Sequence, residues 1–599
     1  MAGKKIRHLA KRCFFSLSIL GVFTYLLKFS WLKWGNLVID TGRELYVPLR
    51  ILKGSVLYRD IWYDYGPFSP YFNSLLCAIF GLHMRSFIIS GALTTVVTSF
   101  LLYKISRVFL NALLSLAPVL TFLFVFAFGQ LYEAGIFNYI LPYSYPAIHS
   151  MAFALGALFF YYKALKKKKG LYVYLSGLLV SLTLLTRIEI GIMLVVSLLS
   201  GVILEQRSGP FKERYWRLRA HCIYPLFSAI LVYGLFAAAY TKIAGYGSAA
   251  NYMEIFFKNL DTKAPFTGAL MGITGFRDNM LNIAVSGIYY LAIIAMFFGA
   301  GLVTSVIRKK YTTKVSIIAS VVLLTAAAAA VFFQQMYFPY YLQYKCVPII
   351  CVILFVVARN SYLKGLEPER YLFLMVFSMF SCFTLARMFF NVWAGHYGFY
   401  LLVPGMVCYY IFFLNALPNA FRRKEAVNAY RLVFVIFSLS FIISHFSVSS
   451  YAYKSRSMKI TLARGAMRVR PAYHRYAEMM DYLKDNTARS DSLVAFPEGV
   501  MLNFLSGIDN PLRFYTFLPI DFARHGFEKD VIEGLEKNKV RYVVILNRNT
   551  LEYGPARFGI DYARGLMQDI LRHYMIKRQF GPLPFTTNEV TMVLMERVE

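Results

Sequence analysis

An α-helical bundle that crosses a membrane many times, followed by a small extracytoplasmic α/β domain, is the fold class this sequence predicts. Three observations carry the prediction. Of 599 residues, 58% are hydrophobic, and the mean hydropathy of +0.52 exceeds what a soluble chain of this size hides in a core. Apolar runs long enough to cross about 30 Å of hydrocarbon as helices recur, separated by short basic clusters. Near residue 452 the hydropathy falls and a soluble, alternating pattern begins.

The runs predict spans near 13–30, 86–104, 111–129, 149–163, 171–187, 189–204, 221–241, 284–306, 315–333, 346–358, 371–388, 398–414 and 431–449. A barrel would show alternating strands instead. The first run follows the charged start MAGKKIRHLAKR and lacks a clear small-residue cleavage site, so an uncleaved anchor entering from the cytoplasm is expected. Inside connections then carry Lys104, Arg107, Lys166 to Lys169, Lys212, Arg214, Arg217, Arg219, Arg308 to Lys310, Lys364 and Arg422 to Lys424, as the positive-inside rule requires. Outside connections near 130–148, 334–344 and 389–397 are nearly free of Lys and Arg and rich in Tyr, Trp, Phe, Pro and Asn. The segment Lys242 to Asn282 is long enough to close over a site, and the alanine run 326–330 suits close helix packing.

Two modules are expected: a transmembrane module, 1–450, with a first outer loop at 31–85, and an α/β domain, 451–599. In the latter an amphipathic helix spans Ala472 to Lys484, strands fall at Ser492 to Phe496 and Thr591 to Met595, a helix starts at Pro497, and a helix-strand unit covers Asp530 to Leu546. In Phe496-Pro-Glu-Gly499, Pro497 and Gly499 read as a strand-to-helix turn with Pro at the first helical position, contact with a bound substrate being the alternative. The seven cysteines sit in or beside apolar segments without CxxC spacing, so neither a disulfide framework nor a zinc site is indicated. The net charge of +33 belongs to the membrane-flanking clusters and not to a nucleic-acid reader.

The informative stretch is LVIDTGRELYVPLRILKGSVLYRDIWYDYGPFSPY, Leu37 to Tyr71, which places Asp40, Glu44, Asp60 and Asp64 just outside the first span. Asp40 and Glu44 are four apart, on one face of a helix if the segment is helical, with Leu45, Leu49 and Leu52 as an apolar stripe suited to the membrane surface. Pro48 is placed to disturb that helix. Thr41 and Glu44 also read as a capping box.

The acidic Asp40-Thr-Gly-Arg-Glu44, then Gly54, then Tyr65-Gly-Pro-Phe-Ser-Pro70 leading to Phe80-Gly81, and Thr186-Arg-Ile-Glu189, resemble polyprenyl-phosphate-dependent glycosyltransferases of the GT-C superfamily. The nearest branch is the bacterial protein-mannosyltransferase-like and aminoarabinose-transferase-like one. Members often carry adjacent acids, whereas three residues separate Asp40 from Glu44 here. The resemblance implies a sugar moved from a polyprenyl-phosphate donor to an extracytoplasmic lipid, glycan or protein acceptor at a bacterial inner membrane, with an inverting outcome expected.

Inverting transfer from a lipid phosphate needs a base for the acceptor hydroxyl and a cationic grip on the phosphate. Asp40 is the expected base, with Glu44 beside it. Asp60, Asp64 and Tyr65 are expected to wall an acceptor pocket or to hold a divalent cation such as Mg or Mn. Arg187, Lys345, Arg387 and His396 form the expected phosphate set at outer helix ends; each alone also reads as an interfacial anchor. The alternatives are a transporter or lipid-linked-glycan flippase and a non-catalytic envelope-assembly subunit. No internal repeat or paired broken helix favours transport, no inside connection holds a nucleotide-sugar domain, and no Gly-x-Ser-x-Gly elbow supports hydrolysis.

Overall fold

The computed structural model describes residues 2–131, 138–205, 211–244, 268, 271–310, 342, 344–420, 424–524 and 526–598. Among them, seven helices are long and apolar enough to cross a membrane, among them Met84–Ser106, Tyr145–Lys167 and Pro368–Met388, and six shorter apolar helices accompany them. The chain is a multi-pass helical membrane protein. The expected span near 315–333, its alanine run and most of the 242–282 segment lie outside the described residues. Large apolar side chains such as Leu178, Ile192, Leu231 and Ile288 face outward, where only hydrocarbon accepts them without cost. Inside, Thr95 and Ser99 return their hydroxyls to carbonyls four residues back, which keeps small polar residues satisfied at helix contacts.

The loop expected to face outward, 31–85, and called the outer loop below, is built of two helices, Thr41–Leu52 and Phe68–Phe80. Its apolar stripe does not lie on the membrane: Leu45 and Leu49 are fully buried in protein, and Leu52 alone is exposed. Pro48 sits inside the first of these helices without ending it. The expected capping box is absent. Asp40 is the N-cap and makes no side-chain cap bond, Thr41 Oγ1 accepts from Asn36 N–H at 2.9 Å, and Glu44 turns to another helix.

The long helix Lys424–Ser455 leads into a hairpin, β1 (Met458–Leu462) and β2 (Gly465–Val469). That hairpin docks on the outer loop: Arg468 N–H donates to Leu32 O at 2.7 Å and Met84 N–H to Arg464 O at 2.9 Å. Four more strands, β3 (Leu493–Phe496), β4 (Tyr542–Leu546), β5 (Tyr574–Phe580) and β6 (Met592–Arg597), form a sheet in the order β3-β4-β6-β5, parallel only between β3 and β4.

Strand alternation divides this sheet into two faces. Val494, Phe496, Val543 and Ile545 pack under helices Phe527–Lys537 and Arg564–His573. Leu493, Ala495, Val544 and Leu546 belong to the same continuous core as the outer loop and the bundle. Polar contacts reinforce this seam: Arg50 Nη1 donates to Asn510 O at 2.7 Å, Asn510 N–H to Tyr46 Oη at 3.0 Å, and Trp62 N–H to Arg513 O at 2.9 Å. The outer loop is therefore sandwiched between bundle and sheet.

The helix expected from Pro497 starts only at Met501. Residues 497–500 form a turn, held by Phe517 N–H on Pro497 O at 2.8 Å and by Gly499, where a Cβ would stand 2.8 Å from the Leu546 side chain.

Candidate active site

Asp40 occupies the junction of loop, bundle and sheet. Its φ of 55° is unusual for a residue with a Cβ and stores strain of about 1–3 kcal/mol that surrounding contacts must hold. The contacts come from both sides. Its N–H donates to Glu498 Oε1 at 2.7 Å, and its carboxylate faces Arg43 Nη1 at 3.3 Å. Arg43 is the local organiser: Nε reaches Glu44 at 3.2 Å, Nη2 donates to Tyr143 O at 2.8 Å, and its guanidinium lies 5.8 Å from the centre of the Tyr65 ring.

Glu44 is buried and its second oxygen accepts from Tyr145 N–H at 2.9 Å. That N–H opens the helix Tyr145–Lys167, so Glu44 caps a bundle helix at its positive end. This locks the outer loop to the bundle.

Tyr65 meets the bundle through backbone pairing. Gly66 N–H donates to Thr186 O and Phe68 N–H to Leu185 O, both at 3.1 Å. Gly66 is required by contact: a Cβ there would lie 2.2 Å from Leu185 O. The pairing lays the Tyr65 ring on Arg187, with 4.4 Å from guanidinium carbon to ring centre, a cation–π geometry. Arg187 precedes the helix Ile188–Leu204; it is 1% exposed, bonds the Tyr400 hydroxyl, pairs with Glu189 at 3.4 Å, and keeps a buried Nε without a hydrogen-bond partner. Tyr143 lies within electrostatic reach of Arg187, Arg387 and Asp40 together. With Tyr139, Tyr397 and Tyr400 it lines a small hollow.

The structure thus gathers Asp40, Glu44, Tyr65 and Arg187, with Arg387 within electrostatic reach of Tyr143 and Tyr400. It does not bring the remaining expected residues to the same contacts. Both Asp60 oxygens are used within its own turn, by Val56 N–H at 2.7 Å and by Arg59. Those bonds outweigh the upward push of burial and hold its carboxyl below the usual range. Asp64 is exposed and turns to Trp62 Nε1 at 3.2 Å and Arg524 at 3.8 Å. Lys345 Nζ donates to Asn391 Oδ1 at 3.1 Å, and burial brings the amine down to about 8. His396 Nδ1 accepts Gly398 N–H at 2.7 Å, which leaves the ring proton on Nε2 and makes this histidine the brace of a turn.

The residues sequence reasoning missed come from loops and from the C-terminal sheet. Glu498, in the turn after β3, joins Arg548 at 3.2 Å, and Arg548 joins Glu552. Tyr397 and Tyr553 lie within electrostatic reach of this group and of Asp40. Burial raises both Asp40 and Glu498, the latter to about 7, while Arg43 and Arg548 pull the other way on Asp40 and Arg548 on Glu498. A divalent cation does not fit this set: Asp40, Glu44 and Glu498 each already face a guanidinium, and a cation would need converging acids without arginines between them. Among the described residues, the metal-like grouping of side chains is Glu536, Asp569 and His573, elsewhere in the C-terminal region.

The family model described as dolichyl-phosphate-mannose-protein mannosyltransferase matches residues 64–233, a segment that contains Tyr65, Tyr143 and Arg187. Over that stretch, somewhat more than a quarter of the chain, the sequence is similar to that family, in keeping with the expected class. No curated protein matches the chain. Among solved structures, it is similar to the Archaeoglobus fulgidus oligosaccharyltransferase in complex with Zn and sulfate, at 12% identity and TM-score 0.49 over 88% of this chain and 67% of that one. It is also similar to ArnT from Cupriavidus metallidurans, in the apo state at 12% identity and TM-score 0.41 over 99% and 98% of the two chains, and bound to undecaprenyl phosphate at 10% identity and TM-score 0.40 over 97% of each.

Proposed function

We propose that this protein transfers a sugar, with inversion, from a polyprenyl phosphate to a hydroxyl of an extracytoplasmic acceptor at a bacterial inner membrane. The N-terminus is cytoplasmic in this reading; residues 1–450 form the catalytic membrane module and residues 451–599 face the periplasm. Asp40 removes the acceptor proton as the acceptor oxygen bonds to the anomeric carbon. The bond from that carbon to the phosphate oxygen breaks, and polyprenyl phosphate leaves with the electron pair and one more negative charge. Arg187 and Arg387 answer that charge, Arg187 through its fork and its spare Nε donor. Tyr65 orients Arg187. Glu44 positions Arg43 and the loop, a structural task that takes it out of proton transfer.

The observation that supports this reading most is that the strained Asp40 faces Arg43, and that Arg43 and the buried Arg187 both lie over the Tyr65 ring, at 5.8 and 4.4 Å. The test is release of polyprenyl phosphate from polyprenyl-phosphate sugars by purified protein in proteoliposomes. Asp40→Asn is expected to lower the rate by about 10²–10⁴ with folding intact. Wild-type turnover in that variant refutes the base assignment.

A further inference from the structure

The turn Phe496-Pro-Glu-Gly499 reads, by sequence, as backbone geometry. In the structure Glu498 crosses the seam between sheet and outer loop. Its Oε1 accepts the Asp40 N–H at 2.7 Å and its Oε2 meets Arg548 at 3.2 Å; its side chain is 4% exposed. Nothing in the fold of the C-terminal sheet requires an ion pair here. Replacing a buried pair by apolar residues is often neutral or stabilising, and Phe496 and Leu546 nearby show that the turn sits beside apolar packing.

We infer that Glu498 and Arg548 are positioning residues for Asp40, so that the C-terminal domain completes the active site in cis. Glu498 holds the Asp40 backbone at φ 55°, a conformation that the loop helix alone does not secure, since Asp40 makes no side-chain cap bond. Arg548 balances the charge of Glu498 and, with Arg43, favours the ionised form of Asp40. The charged and titratable groups facing Asp40 are Arg43 and Glu44 from the loop helix, Tyr143 and Tyr397 from the bundle loops, and Glu498, Arg548, Glu552 and Tyr553 from the C-terminal domain. Removing one carboxylate from this group while Arg548 stays favours the ionised form of Asp40. The inference rests on Asp40 as the base.

Glu498→Ala, Glu498→Gln and Asp40→Asn are compared in proteoliposomes across pH, with Glu596→Gln, on the exposed end of the same sheet, as control. Glu498→Ala is expected to lower kcat up to about 100-fold, the scale of a 1 Å displacement of a reacting group, with donor KM unchanged. Glu498→Gln, whose amide oxygen still accepts the Asp40 N–H, is expected to recover most of kcat at high pH and to move the acid limb of the profile to lower pH. Two results overturn the inference: wild-type kcat and pH profile in Glu498→Ala, or equal loss in Ala and Gln variants with the limb in place. An inactive Asp40→Asn beside an unaffected Glu498→Ala sinks only this inference, whereas an active Asp40→Asn sinks the base assignment beneath it. Should Glu498→Ala not fold, the isosteric Gln variant decides by its acid limb.

Discussion

Gly66→Ala tests whether the docking of the outer loop on the bundle sets the rate. The added Cβ would sit 2.2 Å from Leu185 O, 2.5 Å from Leu185 C and 2.7 Å from the Tyr233 hydroxyl. Two of these atoms are backbone in a buried hairpin, so they cannot swing aside. Ordinary van der Waals contact starts at 3.4 Å, and the turn must therefore retreat by roughly 1 Å, a shift that costs about 100-fold when it misplaces a catalytic group. The retreat lengthens both bonds to Thr186 and Leu185 and lifts Tyr65 from Arg187. Stability is expected to fall by about 1–3 kcal/mol, the range for overpacking, which leaves a folded protein to assay. The measurement is kcat for polyprenyl phosphate release, read beside thermal unfolding in detergent. Unchanged kcat with a lowered Tm would show that the Tyr65–Arg187 arrangement plays no part in the reaction.

Tyr65→Phe keeps the ring on Arg187 and is expected to retain most activity, whereas Tyr65→Ala loses a contact of about 0.5–2 kcal/mol and should raise donor KM, checked by initial rates. Glu44→Gln retains an acceptor for Tyr145 N–H and should remain far more active than Asp40→Asn; Glu44→Ala, which orphans that N–H and Arg43, should lose about 1–3 kcal/mol of stability in denaturant titration. Because burial raises the Asp40 carboxyl above its ordinary range, the acid limb of kcat/KM should lie above that range too, with activity lost as pH falls through it. Glu498 binds its proton more tightly folded than unfolded, so its contribution to the seam is fully present below 4.5 and lost as pH rises to about 7. Hydrogen exchange of residues 493–505 should accelerate over that window, and Glu498→Gln should flatten the response.

The helical bundle was legible because hydrocarbon imposes a long apolar run on each span, and the described spans fall where those runs lie. The strands β3, β4 and β6 were legible for a similar reason: Leu493–Phe496, Tyr542–Leu546 and most of Met592–Arg597 are buried. Strand β5 was not, since the five residues between Tyr574 and Phe580 are all exposed at a sheet edge and show no alternation. The loop helix Thr41–Leu52 was half legible. Its stripe of leucines was seen, but hydropathy alone does not distinguish a membrane surface from the protein core that buries Leu45 and Leu49.

The site divides along the same line. Asp40, Tyr65 and Arg187 stood out because a charge or a Tyr-Gly-Pro turn next to apolar spans is unusual in local sequence. Glu498 and Arg548 did not, because their significance is a contact with a residue more than 450 positions away. A Glu in a strand-to-helix turn has an ordinary local explanation, and only the fold of β3 against the loop removes it. The same long-range pairing explains why four acids in one loop do not make four ligands. Asp60 spends its oxygens on its own turn, Glu44 on a helix of the bundle and Asp64 on the domain edge. Asp40 differs in that its carboxylate faces one guanidinium at 3.3 Å while its backbone, not its side chain, is what the C-terminal domain holds. A base must be fixed in place with its oxygens left available for a proton, and of the four acids Asp40 is the one whose contacts divide in that way.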